Sequence, residues 1–173
     1  MGTLPGNAVK VAAIALAALL TAADPGAAQN SDPGSTPPDF RLKTLAGGTV
    51  TLAEYRGRPL LLNFWATWCK PCRAEMTDII AAYNAHKDQD LQVLAINLTD
   101  QERMKDVRTF VSELQMPFPV LLDEKGKVRK SYALRGVPTS VFIDSSGVVR
   151  FVNPGPITRE LIERGLAAIL PAR

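Results

Sequence analysis

Apolar residues along this chain gather into short blocks at 60–65, 91–98, 120–122, 140–143 and 148–152. Each block is of strand length and rich enough in apolar side chains to be buried on both faces. Between the blocks the period changes. Met76, Ile79, Ile80 and Tyr83 recur three and four residues apart, which predicts a helix over 72–86, and further helices are predicted over 101–114, 128–132 and 158–170. Upstream, 40–45 and 49–52 flank the pair Gly47-Gly48 and predict an N-terminal hairpin. Strands alternating with helices predict an α/β fold with its sheet covered on both faces. The last two strands turn on Ser145-Ser146-Gly147, which makes the sheet mixed.

The first 28 residues follow a different rule. Lys10 is their only basic side chain, apolar residues dominate 11–23, and small residues Gly26-Ala27-Ala28 close the segment. This is a secretory signal pattern, with cleavage expected after Ala28 and Ala23 as the other small-residue stop. The run is short against the roughly 20 residues of a membrane span, so removal is expected over retention as an anchor. No cysteine lies nearby, which excludes a lipoprotein anchor. Residues 29–38 are rich in Pro, Gly, Ser and Asp and are expected to be a flexible, disordered linker. The remainder, 39–173, is expected to be one domain working in the periplasm.

Composition narrows the partners. Lys and Arg number 20 against 17 Asp and Glu, a formal net charge of +3, and the basic residues are scattered. Lys125, Lys127, Arg129 and Lys130 form the densest group, and it reads as a solvated face without an aromatic platform. Nucleic acid is therefore not an expected partner.

The chain has two cysteines, Cys69 and Cys72, set three apart where an apolar strand runs into a helix. Exported proteins commonly use cysteine pairs as staples, but a bridge across two residues closes too small a loop to stabilise much. Thiol-disulfide exchange suits the spacing better. Cys69 is placed at the helix start, where free backbone N–H groups and the helix dipole favour a thiolate, so it is the expected nucleophile and Cys72 the resolving thiol. Pro71 is tolerated in the first helical turn and stiffens it. Lys70 either adds a cation that favours the Cys69 thiolate or is an exposed side chain of little effect. Glu75 extends the pattern to CxxCxxE and shares a helix side with both cysteines. It could carry the Cys72 proton, or it could merely complement the helix dipole. His86, the single histidine, reads as a surface residue near a helix end. A closed zinc site needs four ligands and no second CxxC is present, so no metal site is expected.

The stretch Asn63-Phe64-Trp65-Ala66-Thr67-Trp68-Cys69-Lys70-Pro71-Cys72-Arg73-Ala74-Glu75, with Val137-Pro138-Thr139 downstream, resembles the thioredoxin superfamily. Within it the resemblance is to the TlpA/ResA-like thiol-disulfide oxidoreductases of the bacterial cell envelope, and it covers roughly 38–170. The resemblance implies a thioredoxin-like mixed sheet flanked by helices, with a central helical insertion around 99–117. It implies a cis-proline at Pro138 facing the cysteines, so that Val137 pairs with an extended client segment. Trp68, Lys70, Pro71 and Gly136 would complete the substrate groove, with Gly155 at its margin and Trp65 in the core. Asn63 stands where thioredoxin has a buried aspartate. Since an amide cannot carry a proton, Glu75 becomes the expected proton carrier and tuning residue.

The function so implied is an exported reductase of specific client protein disulfides, supplied by a membrane electron-donor protein. Apocytochrome c haem-binding cysteines and copper-chaperone thiols are the client classes the resemblance suggests. No cofactor is expected beyond the Cys69/Cys72 disulfide itself. Two other readings share the residues: a copper-handling metallochaperone holding Cu(I) on the two thiolates, and a thiol peroxidase, for which 38–65 is peroxiredoxin-like. The peroxidase reading is weakened by Ala66 three residues before Cys69, where that chemistry wants a threonine.

Overall fold

The structure, a computed structural model, describes residues 1–2 and 31–171. The expected signal segment and its cleavage site lie almost wholly outside the described residues. Seven strands and four helices follow in chain order: β1 (Arg41–Thr44), β2 (Thr49–Thr51), β3 (Leu60–Trp65), α1 (Lys70–His86), β4 (Gln92–Asn97), α2 (Met104–Glu113), β5 (Val120–Leu122), α3 (Lys127–Ser131), β6 (Thr139–Ile143), β7 (Val149–Pro154) and α4 (Arg159–Ala167). They form one mixed sheet in the order β2-β1-β5-β4-β3-β6-β7. β3 is parallel to β4, and β4 to β5, whereas β6 runs antiparallel to both β3 and β7. The expected hairpin is the β1–β2 pair, and β1 also joins the sheet edge at β5.

Every side chain of β3 is buried, and strand alternation sorts them between two cores. Leu61 and Trp65 pack with Met76 and Ile79 of α1, Val107 and Phe110 of α2, and Ile162 and Leu166 of α4. Leu60, Leu62 and Phe64 point the other way, toward Phe40, Val128 and Tyr132. Asn63, by the same alternation, faces α1. The α4 side is tight enough to require glycine: a Cβ on Gly165 would lie 2.6 Å from the Phe142 ring.

Two expectations are corrected. The segment 29–38 is not a free linker over 31–38. Gly34 N–H donates to the Val149 carbonyl (2.8 Å) and Val149 N–H to the Ser35 carbonyl (2.9 Å), extending the β7 edge. Pro37 and Pro38 are buried, and the Tyr132 hydroxyl donates to the Pro38 carbonyl at 2.9 Å. The prolines supply apolar surface that the core uses, so docking outweighs the flexibility their neighbours suggest. The helix expected over 101–114 begins only at Met104, because Thr99–Gln101 form a separate 3-10 turn and Arg103 enters the helix from extended backbone.

Candidate active site

The cysteines sit where β3 hands over to α1. After Trp65 the chain turns through Ala66, Thr67 and Trp68, and Cys69 N–H donates to the Ala66 carbonyl at 3.3 Å. Cys69 is the N-cap of α1, and its sulfur accepts from Cys72 N–H at 3.2 Å. That bond satisfies one of the helix's open donors. Pro71 lies at the second helical position, where no intrahelical N–H bond is lost. Cys69 and Cys72 are joined in a disulfide with sulfurs 2.04 Å apart.

Exposure separates the two sulfurs' residues. Trp68 is 56% exposed, Cys69 4% and Cys72 0%, and Lys70 and Pro71 are exposed beside them. A partner approaching this end of the sheet meets Trp68 first and then the edge of Cys69; Cys72 lies behind.

β6 brings a second strip to the same end. Its register pairs Phe64 with Thr139, so Val137 and Pro138 fall beside the end of β3. The Val137–Pro138 peptide is cis. Pro138 is buried, Val137 half-buried and Gly136 exposed. The Pro138 carbonyl accepts from Gly155 N–H at 2.9 Å, whereas no described residue bonds to the backbone N–H or C=O of Val137. Gly155 has φ +113°, a conformation natural only to glycine. Trp68, Lys70, Pro71, Gly136, Val137, Pro138 and Gly155 thus gather at the cysteine end of the sheet.

Glu75 faces inward rather than into solvent, and it is 3% exposed. Asn63 Nδ2 donates to its Oε1 at 2.8 Å and Ile157 N–H to its Oε2 at 3.0 Å. Asn63 Nδ2 also donates to Ser140 Oγ at 3.1 Å, across the β3–β6 register. Burial pushes the Glu75 carboxyl from 4.5 up to about 7, against the lowering effect of the Ile157 and Asn63 bonds. The group can therefore hold or release a proton near neutral pH. Its hydrogen bonds run to Asn63 and Ile157 and none runs to a sulfur. Asn63 Oδ1 is buried without a partner among the described residues.

His86 lies at the far end of α1, with Nδ1 2.8 Å from Gln89 Nε2 and Nε2 3.4 Å from Glu163 Oε2. Among the described residues no group of three or more His, Cys, Asp or Glu side chains is placed to hold a metal ion.

The sequence profile of the AhpC/TSA family matches residues 33–152, more than half of the chain. The chain belongs to the AhpC/TSA family. Among curated proteins, the thiol-disulfide oxidoreductase ResA of Geobacillus kaustophilus (strain HTA426) is 38% identical over 138 residues, covering 80% of this chain and 78% of that protein. The thioredoxin-like protein YneN of Bacillus subtilis (strain 168) is 40% identical over 134 residues, covering 77% and 78% respectively. A solved structure described as the thiol:disulfide interchange protein DsbE of Chlorobium tepidum superposes with a TM-score of 0.73 at 32% identity, covering 79% of this chain and 96% of that one. StoA of Bacillus subtilis gives 0.65 at 28% identity, covering 77% and 98%. This AhpC/TSA-family chain has a thioredoxin-like fold and is a thiol-disulfide oxidoreductase of the ResA/DsbE type.

Ile157 and Ser140, which surround the Glu75–Asn63 pair, escaped sequence reasoning, and so did one acid of this AhpC/TSA-family site. Glu102, between β4 and α2, accepts from Thr67 N–H at 2.7 Å and Asn97 Nδ2 at 2.9 Å through Oε1, and from the Thr67 hydroxyl through Oε2. No motif marks it, and its main partner lies 35 residues upstream. Asn63 was legible as a hydrogen-bonded polar residue in an apolar strand, but its bond to Glu75 was not.

Proposed function

We propose that this protein is an exported reductase of client protein disulfides, with Cys69 the attacking and Cys72 the resolving thiol. In the reduced protein the Cys69 thiolate attacks one sulfur of the client disulfide in line. The client S–S bond breaks, one client thiolate leaves, and a Cys69–client mixed disulfide forms. Cys72 then gives up its proton, its thiolate attacks the Cys69 sulfur, and the second client thiolate leaves. Two electrons have moved to the client and the Cys69–Cys72 disulfide remains, to be reduced again by the dithiol of a membrane electron donor.

The observation that carries this reading is the order of exposure along the motif, 56% for Trp68, 4% for Cys69 and 0% for Cys72. It favours first attack at Cys69 and shields the resolving thiol from side reactions. Glu75, a buried carboxyl with a pKa of about 7 one helical turn past Cys72, suits the role of carrier for the Cys72 proton. The unpaired backbone of Val137, with Trp68, Lys70, Pro71, Gly136 and Pro138, suits an extended client strand.

Export is supported by the apolar run at 11–23 with its small-residue end. No helix among the described residues is long and apolar enough to cross a membrane. A compartment that oxidises dithiols makes the donor necessary, since an unsupplied pair would stay oxidised. Resemblance to TlpA/ResA-like proteins favours apocytochrome c cysteines or copper-chaperone thiols as clients. The test is a Cys72→Ser variant expressed in its own envelope, where client proteins accumulate as mixed disulfides on Cys69 and are identified by mass. Recovery of the variant with Cys69 free, under conditions where a control dithiol protein is captured, would refute the reading.

A further inference from the structure

We propose that Glu102 is a positioning residue for Cys69: its carboxylate fixes the Thr67–Trp68 turn and thereby the sulfur at the start of α1. The inference rests on Cys69 being the attacking thiol. It deepens that reading by tying Cys69's reactivity to the segment between β4 and α2.

The turn from Ala66 to Cys69 carries one bond of its own, from Cys69 N–H to the Ala66 carbonyl at 3.3 Å, and just ahead of it Leu98 N–H donates to the Trp65 carbonyl at 3.1 Å. Glu102 supplies the tie in the middle. Its two oxygens take the backbone N–H (2.7 Å) and the hydroxyl of the same residue, Thr67, which fixes the orientation of that peptide as well as its position. A carboxylate receiving such bonds holds them more strongly than a neutral acceptor.

Behind Glu102 the chain is itself anchored. Asn97, fully buried at the end of β4, donates to Oε1 at 2.9 Å and accepts the Thr99 hydroxyl on its Oδ1 at 2.9 Å. Glu102 N–H donates to the Thr99 carbonyl at 3.2 Å. The turn before Cys69 is thus fastened to the parallel strand beside it. Glu102 also lines an open groove with Thr67, Trp68, Gln101, Arg103 and Asp106. A client resting on the exposed Trp68 would touch the segment that holds the turn.

Two effects on the Cys69 thiol follow, and they have opposite signs. The negative charge of Glu102 disfavours a thiolate nearby. The fixed turn favours one, because it keeps the Cys69 sulfur on the Cys72 N–H at the helix start. A merely structural residue would move neither. The other ionisable groups on the elements meeting here are Lys70, Arg73, Glu75, Asp78, Tyr83 and His86 of α1, Asp100 and Arg103 ahead of α2, Lys105, Asp106, Arg108 and Glu113 of α2, and Arg135 ahead of Pro138. All are unchanged in the variants below.

The experiment measures alkylation of Cys69 by iodoacetamide across pH, in full-length protein carrying Cys72→Ser. Glu102→Gln keeps an acceptor for Thr67 N–H and removes the charge, so the Cys69 titration shifts down and the rate at neutral pH rises by about threefold. Thr67→Val keeps the charge and loosens the tie, so the titration shifts up and the rate falls. Glu102→Ala loses both and is slower than Glu102→Gln. Superposed titrations for Glu102→Gln, Thr67→Val and the parent overturn the proposal, even if melting temperatures fall. It is also overturned if Gln and Ala at 102 change Cys69 equally, because charge alone then accounts for the effect. If Glu102→Ala does not fold, the Gln and Val variants decide. A parent Cys69 with no titrating reactivity refutes its role as attacking thiol, and this inference with it.

Discussion

Replacing Glu75 with glutamine separates the charge of this buried carboxyl from its shape. In the fold its pKa stands at about 7 against 4.5, and that difference is worth about 3 kcal/mol. Between those two values the folded chain keeps a proton on Glu75 that the unfolded chain has released. The contribution to stability is therefore greatest below pH 4.5, falls as the pH rises, and levels off above about 7. Glutamine cannot ionise, so this fall disappears in the variant. The site also accepts an amide. Asn63 Oδ1 has no partner among the described residues, so the Asn63 amide can turn and present that oxygen to the new NH2 group, while Ile157 N–H donates to the remaining carbonyl oxygen. Denaturant unfolding with the disulfide intact, repeated from about pH 4.5 to about pH 8, should show the variant gaining about 3 kcal/mol on the parent. Asp144, with its pKa lowered below 3.8 because bonds from Val148 and Arg150 outweigh burial, contributes stability that is lost only as pH falls below this window. Parallel curves for parent and variant would show that the carboxyl is not held protonated by the fold, and the reasoning would fail.

Cys69, the less deeply buried thiol and the one at the helix start, should alkylate faster than Cys72 in single-cysteine variants, and Cys69→Ser should abolish exchange; a faster Cys72 would reverse the roles. Asn63→Asp puts a second carboxyl where Nδ2 now lies 2.8 Å from Glu75 Oε1, so the pair should share one proton and the variant should lose stability steeply above about pH 7. Equal pH profiles for variant and parent would contradict it. Gly165→Ala should destabilise by about 1–3 kcal/mol despite alanine's better helix propensity, because the new methyl meets the buried Phe142 ring. A rise in melting temperature would mean that the ring moves aside at little cost.

The central strands were legible in the chain because burial on both faces leaves few polar positions to confuse the pattern: β3 holds one, Asn63, and it faces a buried acid. The cysteine pair was legible because its chemistry depends on spacing along one helix turn. Glu75 was visible as a position but not as a buried group, since spacing alone cannot say whether a helix side meets solvent or a sheet. Residues 31–38 misled because proline and glycine mark turns whether or not the turn is packed, and the Pro38 carbonyl finds its donor in Tyr132, 94 residues away. Glu102 was illegible for a related reason. Its meaning lies in the pairing of β3 with β4, which brings Thr67 to a residue far along the chain.

The docked segment 31–38 also sets how far the described part of this chain can be shortened. Laid out free, those residues would span about 27 Å at the extended rise per residue. Fastened to Val149 and Tyr132, they are part of the fold instead. Trimming the chain to Asp39 would therefore strip the Tyr132 hydroxyl of its acceptor and uncover the β7 edge at Val149.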